Sequence, residues 1–191
     1  MRNKIGNLCM ILGTVLVLAA LSLFLWNRHE DRKAKESVEE ILPRLIKKLE
    51  TPSYPDPYDD AMTEAEIDGY AYIGYLFFPA LKLELPVMSK WDYTRLKIAP
   101  CRYAGSTKTD DLVIAAHNYT RHFGPVRNLS LGSPVYFTDM DGVVSHYEVA
   151  EVETLSPTSV EEMTEGDWDL TLFTCTYGGR SRVAVRCDRI D

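Results

Sequence analysis

DLTLFTCTYGGRSRVAVRC, Asp169 to Cys187, holds two apolar runs of strand length joined by a Gly-Gly turn. Leu170-Thr171-Leu172-Phe173-Thr174 is too short for a helix and rich in strand-favouring residues, so it reads as a buried strand ending at Cys175. Tyr177-Gly178-Gly179 turns the chain, and Arg182-Val183-Ala184-Val185 returns as a second strand beside the first. The outcome is a thiol at a strand end with Arg180, Arg182 and Arg186 close behind it. A structural cysteine needs no cation nearby, whereas a reactive thiolate is favoured by one. Arg182 opens the returning strand and lies nearest the turn and the thiol. Arg180 and Arg186 read as a solvated strand face.

The same texture runs from Tyr70 to the C-terminus. Ala71–Leu76, Lys82–Val87, Leu96–Ala99, Leu112–Ala116, Pro134–Thr138 and Val143–Leu155 are further strand candidates. Asp141-Gly142 is a hairpin signal. With the two strands above, the spacing predicts a mostly β domain over residues 70–191, a closed or nearly closed barrel of eight strands with short peripheral helices. The net charge of −7 removes the basic footprint that nucleic-acid binding requires.

What precedes the barrel is different. Leu8 to Trp26 (LCMILGTVLVLAALSLFLW) carries no charged residue and has the length of a bilayer core. The apolar run continues past Ala20-Leu21-Ser22, the best cleavage-like site, so a retained transmembrane anchor is expected over 8–26 after a short segment 1–7. Counting Lys and Arg alone (Arg2 and Lys4 before the run; Arg28, Arg32, Lys33 and Lys35 after it) would orient the anchor the other way. The usual arrangement of an exported domain behind one anchor sets the N-terminus inside and the barrel outside. In the 27–69 region, Val38, Ile41, Leu42, Leu45, Ile46 and Leu49 recur at helical spacing, with Pro43 expected to break or kink the helix. TPSYPDPYDD, Thr51 to Asp60, then reads as a Pro-stiffened spacer.

Among the titratable groups, His117 follows the buried run Leu112-Val113-Ile114-Ala115-Ala116, where a barrel presents a side chain at its rim. His122 is the alternative in the same loop. His146 alternates within a strand, and His29 lies among charges beside the membrane run. Cys101, Cys175 and Cys187 are an odd count beyond the membrane run, so at least one thiol stays free; Cys101 and Cys187 can pair or stay apart. There is no CxxC pair for a zinc ribbon or a redox motif. The acidic cluster Glu161, Glu162, Glu165, Asp167 and Asp169 reads as a solvated loop rather than a calcium site.

These residues carry a resemblance. Thr171-Leu172-Phe173-Thr174-Cys175 matches the TLxTC motif of the sortases, cysteine transpeptidases of Gram-positive cell surfaces. Val113 to Asn118 is similar to their histidine strand, Arg182 to Val185 to their arginine strand, and Ile73-Gly74 and Leu85-Pro86-Val87 to early strands. The resemblance implies a sortase barrel in which Cys175 attacks an LPxTG-like sorting signal of a surface protein and forms a thioester. It further implies that His117 moves protons, Arg182 stabilises the oxyanion and Thr174 positions substrate. The acyl group would pass to an amine on a peptidoglycan precursor or another protein, with no metal or organic cofactor. The enzyme would be a single-pass protein of the cell membrane. Ala116 stands where many sortases have Gly, the Cys175–Arg182 connection is short, and the loop from Leu155 to Leu170 has no room for a long helical insert, which leaves the subclass open. Asp56-Pro57-Tyr58 resembles the lid of pilus-type sortases, with Asp56 facing the arginine and Tyr58 the thiol. Two rival readings are an L,D-transpeptidase, whose Ser-x-Gly-Cys-x-Arg arrangement is missing, and a binding module in which Cys175 is only a buried hydrophobe.

Overall fold

The computed structural model describes residues 2–50 and 61–191. The candidate lid residues Asp56 and Tyr58 lie outside the described residues. The chain opens with one helix, α1, Arg2–Leu49, 48 residues long and so about 72 Å at the α-helical rise. Its apolar run is almost wholly exposed, with a mean hydropathy of 2.7 over its most apolar window, long and apolar enough to cross a membrane. Farther along, Ala34, Val38, Ile41 and Leu45 are buried at spacings of four, three and four residues, one stripe laid against the barrel. Burial of Val38, Ile41 and Leu45 contributes about 1.5–3 kcal/mol each. The helix runs on through Pro43, so the break that the sequence allowed there does not occur. Pro43 is exposed, opposite the buried stripe, where the carbonyl it leaves without a partner can turn to water.

The strands are β1 Ala65–Ile67, β2 Tyr70–Phe78, β3 Leu83–Met88, β4 Cys101–Ala104, β5 Leu112–Ala116, β6 Pro134–Asp139, β7 Val144–Leu155, β8 Leu170–Cys175 and β9 Arg182–Arg189; a short helix α2, Val160–Thr164, lies between β7 and β8. Among the described residues they form one sheet in the order β1-β2-β3-β4-β5-β8-β9-β7-β6, and β6 also pairs with β2. That last pairing closes β2 to β9 into an eight-stranded mixed barrel, with β1 as an extra arm hairpinned onto β2. Gly74 sits where β2 meets both of its neighbours. Its φ is 147°, and a Cβ there would lie 2.1 Å from the Thr138 carbonyl, so the closure requires glycine.

The sheet's two faces bury two clusters. Leu76, Leu85, Ile114, Phe137, Leu172 and Val185 fill the interior of the barrel, as eight strands allow. Tyr72, Val113, Ala115, Phe173 and Ala184 face outward and pack with Ile41 and Leu45 of α1 and Met163 of α2. Cys187 belongs to the interior cluster and Cys101 to the outer one, so the two thiols lie on opposite faces and both are free. One strand expectation fails: Arg95–Lys97 is a single 3-10 turn, and the strand of this region is Cys101–Ala104. Asp92 accounts for the turn, because its Oδ1 accepts hydrogen bonds from the amides of Thr94 (2.7 Å) and Arg95 (2.8 Å).

Candidate active site

β5 and β8 run parallel and in register, with Ala116 level with Thr174. The residues that follow, His117 and Cys175, therefore leave two adjacent strands at the same height. β9 is antiparallel to β8 and sets Arg182 directly opposite Cys175. Since Ala115, Phe173 and Ala184 belong to the outer cluster, strand alternation puts His117, Cys175 and Arg182 on that same face. Three neighbouring strands thus set His117, Cys175 and Arg182 side by side on one face, with Cys175 in the middle.

Local bonds hold this arrangement. Thr174 is buried on the alternate face, and its Oγ1 donates to the Ala116 carbonyl at 2.8 Å, tying the two strand ends that carry His117 and Cys175. Thr176 and Ser181 close the β8–β9 turn through amide and hydroxyl bonds, including Thr176 N to Ser181 O at 3.0 Å. Arg182 donates from one Nη to the carbonyls of Gly179 and Ser181, each at 3.2 Å, which leaves its other donors unengaged among the described residues. Cys175 is half-buried. Burial, with a smaller contribution from Lys97, holds the His117 pKa below the usual histidine range, while Glu30 acts weakly the other way. His117 is therefore neutral at neutral pH, the form that can take a proton from a thiol.

The loop after His117 is compact. The His117 ring packs tilted against Tyr119, their centroids 4.8 Å apart, and Tyr119 lies 5.4 Å from the ring of His122. The alternative candidate, His122, is fully buried, and among the described residues neither ring nitrogen has a hydrogen-bond partner. Burial, reinforced by His117, pushes its pKa down to about 4; the Ile98 backbone and Asp31 oppose this weakly, Ile98 without meeting hydrogen-bond geometry. Acid should therefore weaken the fold. Between the ordinary histidine value near 6.5 and about 4, the unfolded chain binds a proton that native His122 does not, so stability falls with decreasing pH by up to about 1.4 kcal/mol per unit. Thermal unfolding of the wild type and His122→Phe from pH 7 to pH 4 checks this: the variant should show the shallower loss, and parallel curves would refute the assignment.

The N-terminal helix reaches this loop. Asp31 of α1 accepts from the Thr120 amide at 2.7 Å and from the Thr120 hydroxyl at 2.6 Å, a clamp between residues 89 positions apart. Nothing in the sequence signalled it. Asp31→Ala should loosen the His117 loop and lower kcat/KM about tenfold, the scale of one charge-assisted hydrogen bond. Asp31→Asn, which keeps an acceptor oxygen, should lose less. Hydrogen exchange at Thr120 to His122 reads the loosening directly, and unchanged exchange in Asp31→Ala would count against the clamp.

Arg186 corrects a second expectation. It is not on a solvated face but only 2% exposed. Its Nε bonds Glu153 at 2.8 Å, one Nη bonds Thr171 Oγ1 at 3.0 Å, and the Met163 and Glu162 carbonyls accept its remaining bonds. The residue pins the α2 loop over the outer face beside Phe173. Of the acidic residues near this loop, Asp169 accepts from the Arg189 amide at 2.6 Å. Asp110, on the facing loop, pairs with the Arg189 side chain.

Comparison with known proteins now decides the family. The family model for the sortase domain matches residues 76–190, well over half of the chain. The chain belongs to the sortase family. Among solved structures, this sortase is 27% identical to sortase C1 of Streptococcus suis, with a TM-score of 0.54 over 63% of this chain and 73% of that one. It also resembles sortase C of Streptococcus pneumoniae (22% identity, TM-score 0.60, 82% and 97% covered) and of Clostridium perfringens (21%, 0.54, 84% and 91%). No curated protein matches. The family is one of cell-wall transpeptidases that act on surface proteins bearing sorting signals, and the eight-stranded barrel is its fold.

Proposed function

We propose that this sortase is a membrane-anchored cysteine transpeptidase that forms a thioester between Cys175 and an LPxTG-like sorting signal. The register that aligns His117, Cys175 and Arg182 across three strands is the observation that carries the reading. Neutral His117 accepts the thiol proton as Sγ attacks the scissile carbonyl, then returns it to the departing amine as the C–N bond breaks. The donors of Arg182 left unengaged among the described residues are suited to the developing oxyanion. Thr174 supports the site through its bond to Ala116. An amine of a peptidoglycan precursor or a surface protein then takes the acyl group.

The exposed apolar run of α1 supports a single-pass anchor, and the usual arrangement of an exported domain behind one anchor sets the N-terminus inside and the barrel outside. Incubating the full chain with a library of sorting-signal peptides and reading intact mass tests the reaction class. A covalent acyl adduct mapped to Cys175 is expected. Its absence with every peptide, alongside slow alkylation of Cys175, would favour the binding-module reading instead.

A further inference from the structure

We propose that the end of the barrel carrying His117 and Cys175 docks on the anionic surface of the membrane that α1 crosses, through Lys97, Arg127, Tyr177 and Arg180. This rests on the single-pass anchor proposed above. Trp26 closes the apolar run of α1, and the helix continues unbroken to Leu49, so the run sets the height of whatever α1 touches next. Asp31, which accepts from the Thr120 amide at 2.7 Å, stands only a short way past Trp26, a rise of about 7.5 Å. A headgroup layer is about 5–8 Å deep, so the loop after His117 meets it. The β8–β9 turn reaches the same level, because Phe24 and Trp26 share one cleft with Lys97, Tyr177 and Gly178.

Charge fits this end to an anionic partner. The chain carries 28 Asp and Glu against 21 Lys and Arg, yet residues 112–138 and 170–187, which hold both loops, contain no acidic residue. They supply Arg127 and Arg180, and the Arg127 guanidinium lies over the Tyr177 ring, 4.9 Å from its centroid. Tyr177 is 75% exposed, an amphipathic ring of the kind that settles at a membrane interface. Among the described residues Lys97, Arg127 and Arg180 form no ion pair.

The opposite strand ends are acidic. Asp110 and Asp111 precede β5, Asp169 precedes β8, Asp191 follows β9, and Asp139 and Asp141 lie at the β6–β7 turn. The barrel is therefore polarised along its axis, its positive end toward the bilayer and its negative end away from it. On α1, exposed Arg28, Arg32 and Lys33 continue the positive face beside Glu30 and Asp31, of which Asp31 is bonded to Thr120. These cations belong to the set whose count alone would orient the anchor the other way; beside a docked barrel they meet headgroups. The thiol, two residues before Tyr177, is thereby held at headgroup height.

Hydrogen exchange of the 176–181 amides in the full chain reads the docking, in nanodiscs of phosphatidylcholine alone or with about one-third phosphatidylglycerol. Anionic discs should slow this exchange about tenfold or more relative to neutral ones, and high salt should reverse the effect. Arg127→Gln and Arg180→Gln should each cut the ratio about fivefold. Lys48→Gln, exposed on α1 about 33 Å past Trp26, should leave it unchanged. Each variant is compared with itself in neutral discs, so a loosened turn cannot imitate the loss. Glycerol phosphate added to neutral discs should slow nothing. Equal wild-type exchange in the two discs, a ratio untouched by both Arg substitutions, or equal protection by glycerol phosphate would overturn the docking and leave the anchor standing. Failure of the full chain to enter discs of either lipid would overturn the anchor and the docking with it.

Discussion

Cys175→Ala is expected to abolish acyl-enzyme formation and transpeptidation, a loss on the order of 10⁴-fold or more, because no other group on the outer face of β8 can replace the sulfur. The fold should survive. Cys175 is half-buried at a strand end, and the backbone pairing with Arg182 that fixes its position does not depend on the side chain. An apparent Tm within about 4 °C of wild type is the corresponding expectation. The other thiols of the barrel serve as internal controls. Burial pushes the Cys101 thiol up to about 12 and raises Cys187 further still, so neither is a nucleophile at neutral pH. Brief alkylation of the native protein, followed by peptide mapping, should label Cys175 and spare both. Wild-type turnover in Cys175→Ala, or equal labelling of the three thiols, would remove Cys175 from the mechanism.

The sequence made this part of the molecule legible because β5 and β8 are buried on both faces and bounded by sharp breaks. Short, mostly apolar runs of five or six residues leave little choice of structure. β4 was missed for the opposite reason. Cys101-Arg102-Tyr103-Ala104 is short and only partly buried, while the apolar spacing of Leu96 to Ala99 imitates a strand that Asp92 caps into a turn. β1 carried a readable signal in Asp68-Gly69, whose φ angles of 52° and 77° make the two-residue turn pairing Ile67 with Tyr70. Arg186 could not be read locally. An arginine alternating with valine and alanine looks solvated until the α2 loop folds over it. Nor could any local pattern show that α1 would reach the His117 loop, because the Asp31–Thr120 clamp joins residues 89 positions apart. The candidate residues were legible as strand ends. Their surroundings belong to long-range packing.

His117→Ala is expected to lower kcat/KM by roughly 10²–10⁴-fold, the range of a positioned acid–base group. Cys175 would remain, still flanked by Arg182, but without a neighbouring base to take its proton or an acid to supply one to the departing amine. The structure separates this effect from those of the other two histidines near the barrel. His146 is exposed on β7 and packs edge-on against Tyr136 at 4.9 Å, so His146→Ala should leave turnover within about twofold of wild type. His122→Ala, in contrast, empties a fully buried site and should lower the apparent Tm, while turnover per folded molecule stays far above that of His117→Ala. Donor-peptide kinetics at a temperature where all three variants are folded, checked by circular dichroism, decide the matter. The pH profile adds a second reading: because burial lowers the His117 pKa, its contribution to the acid limb should fall below the ordinary histidine value near 6.5 and vanish in His117→Ala. Comparable losses per folded molecule in His117→Ala and His122→Ala would move the acid–base role away from the end of β5 and into the loop beyond it.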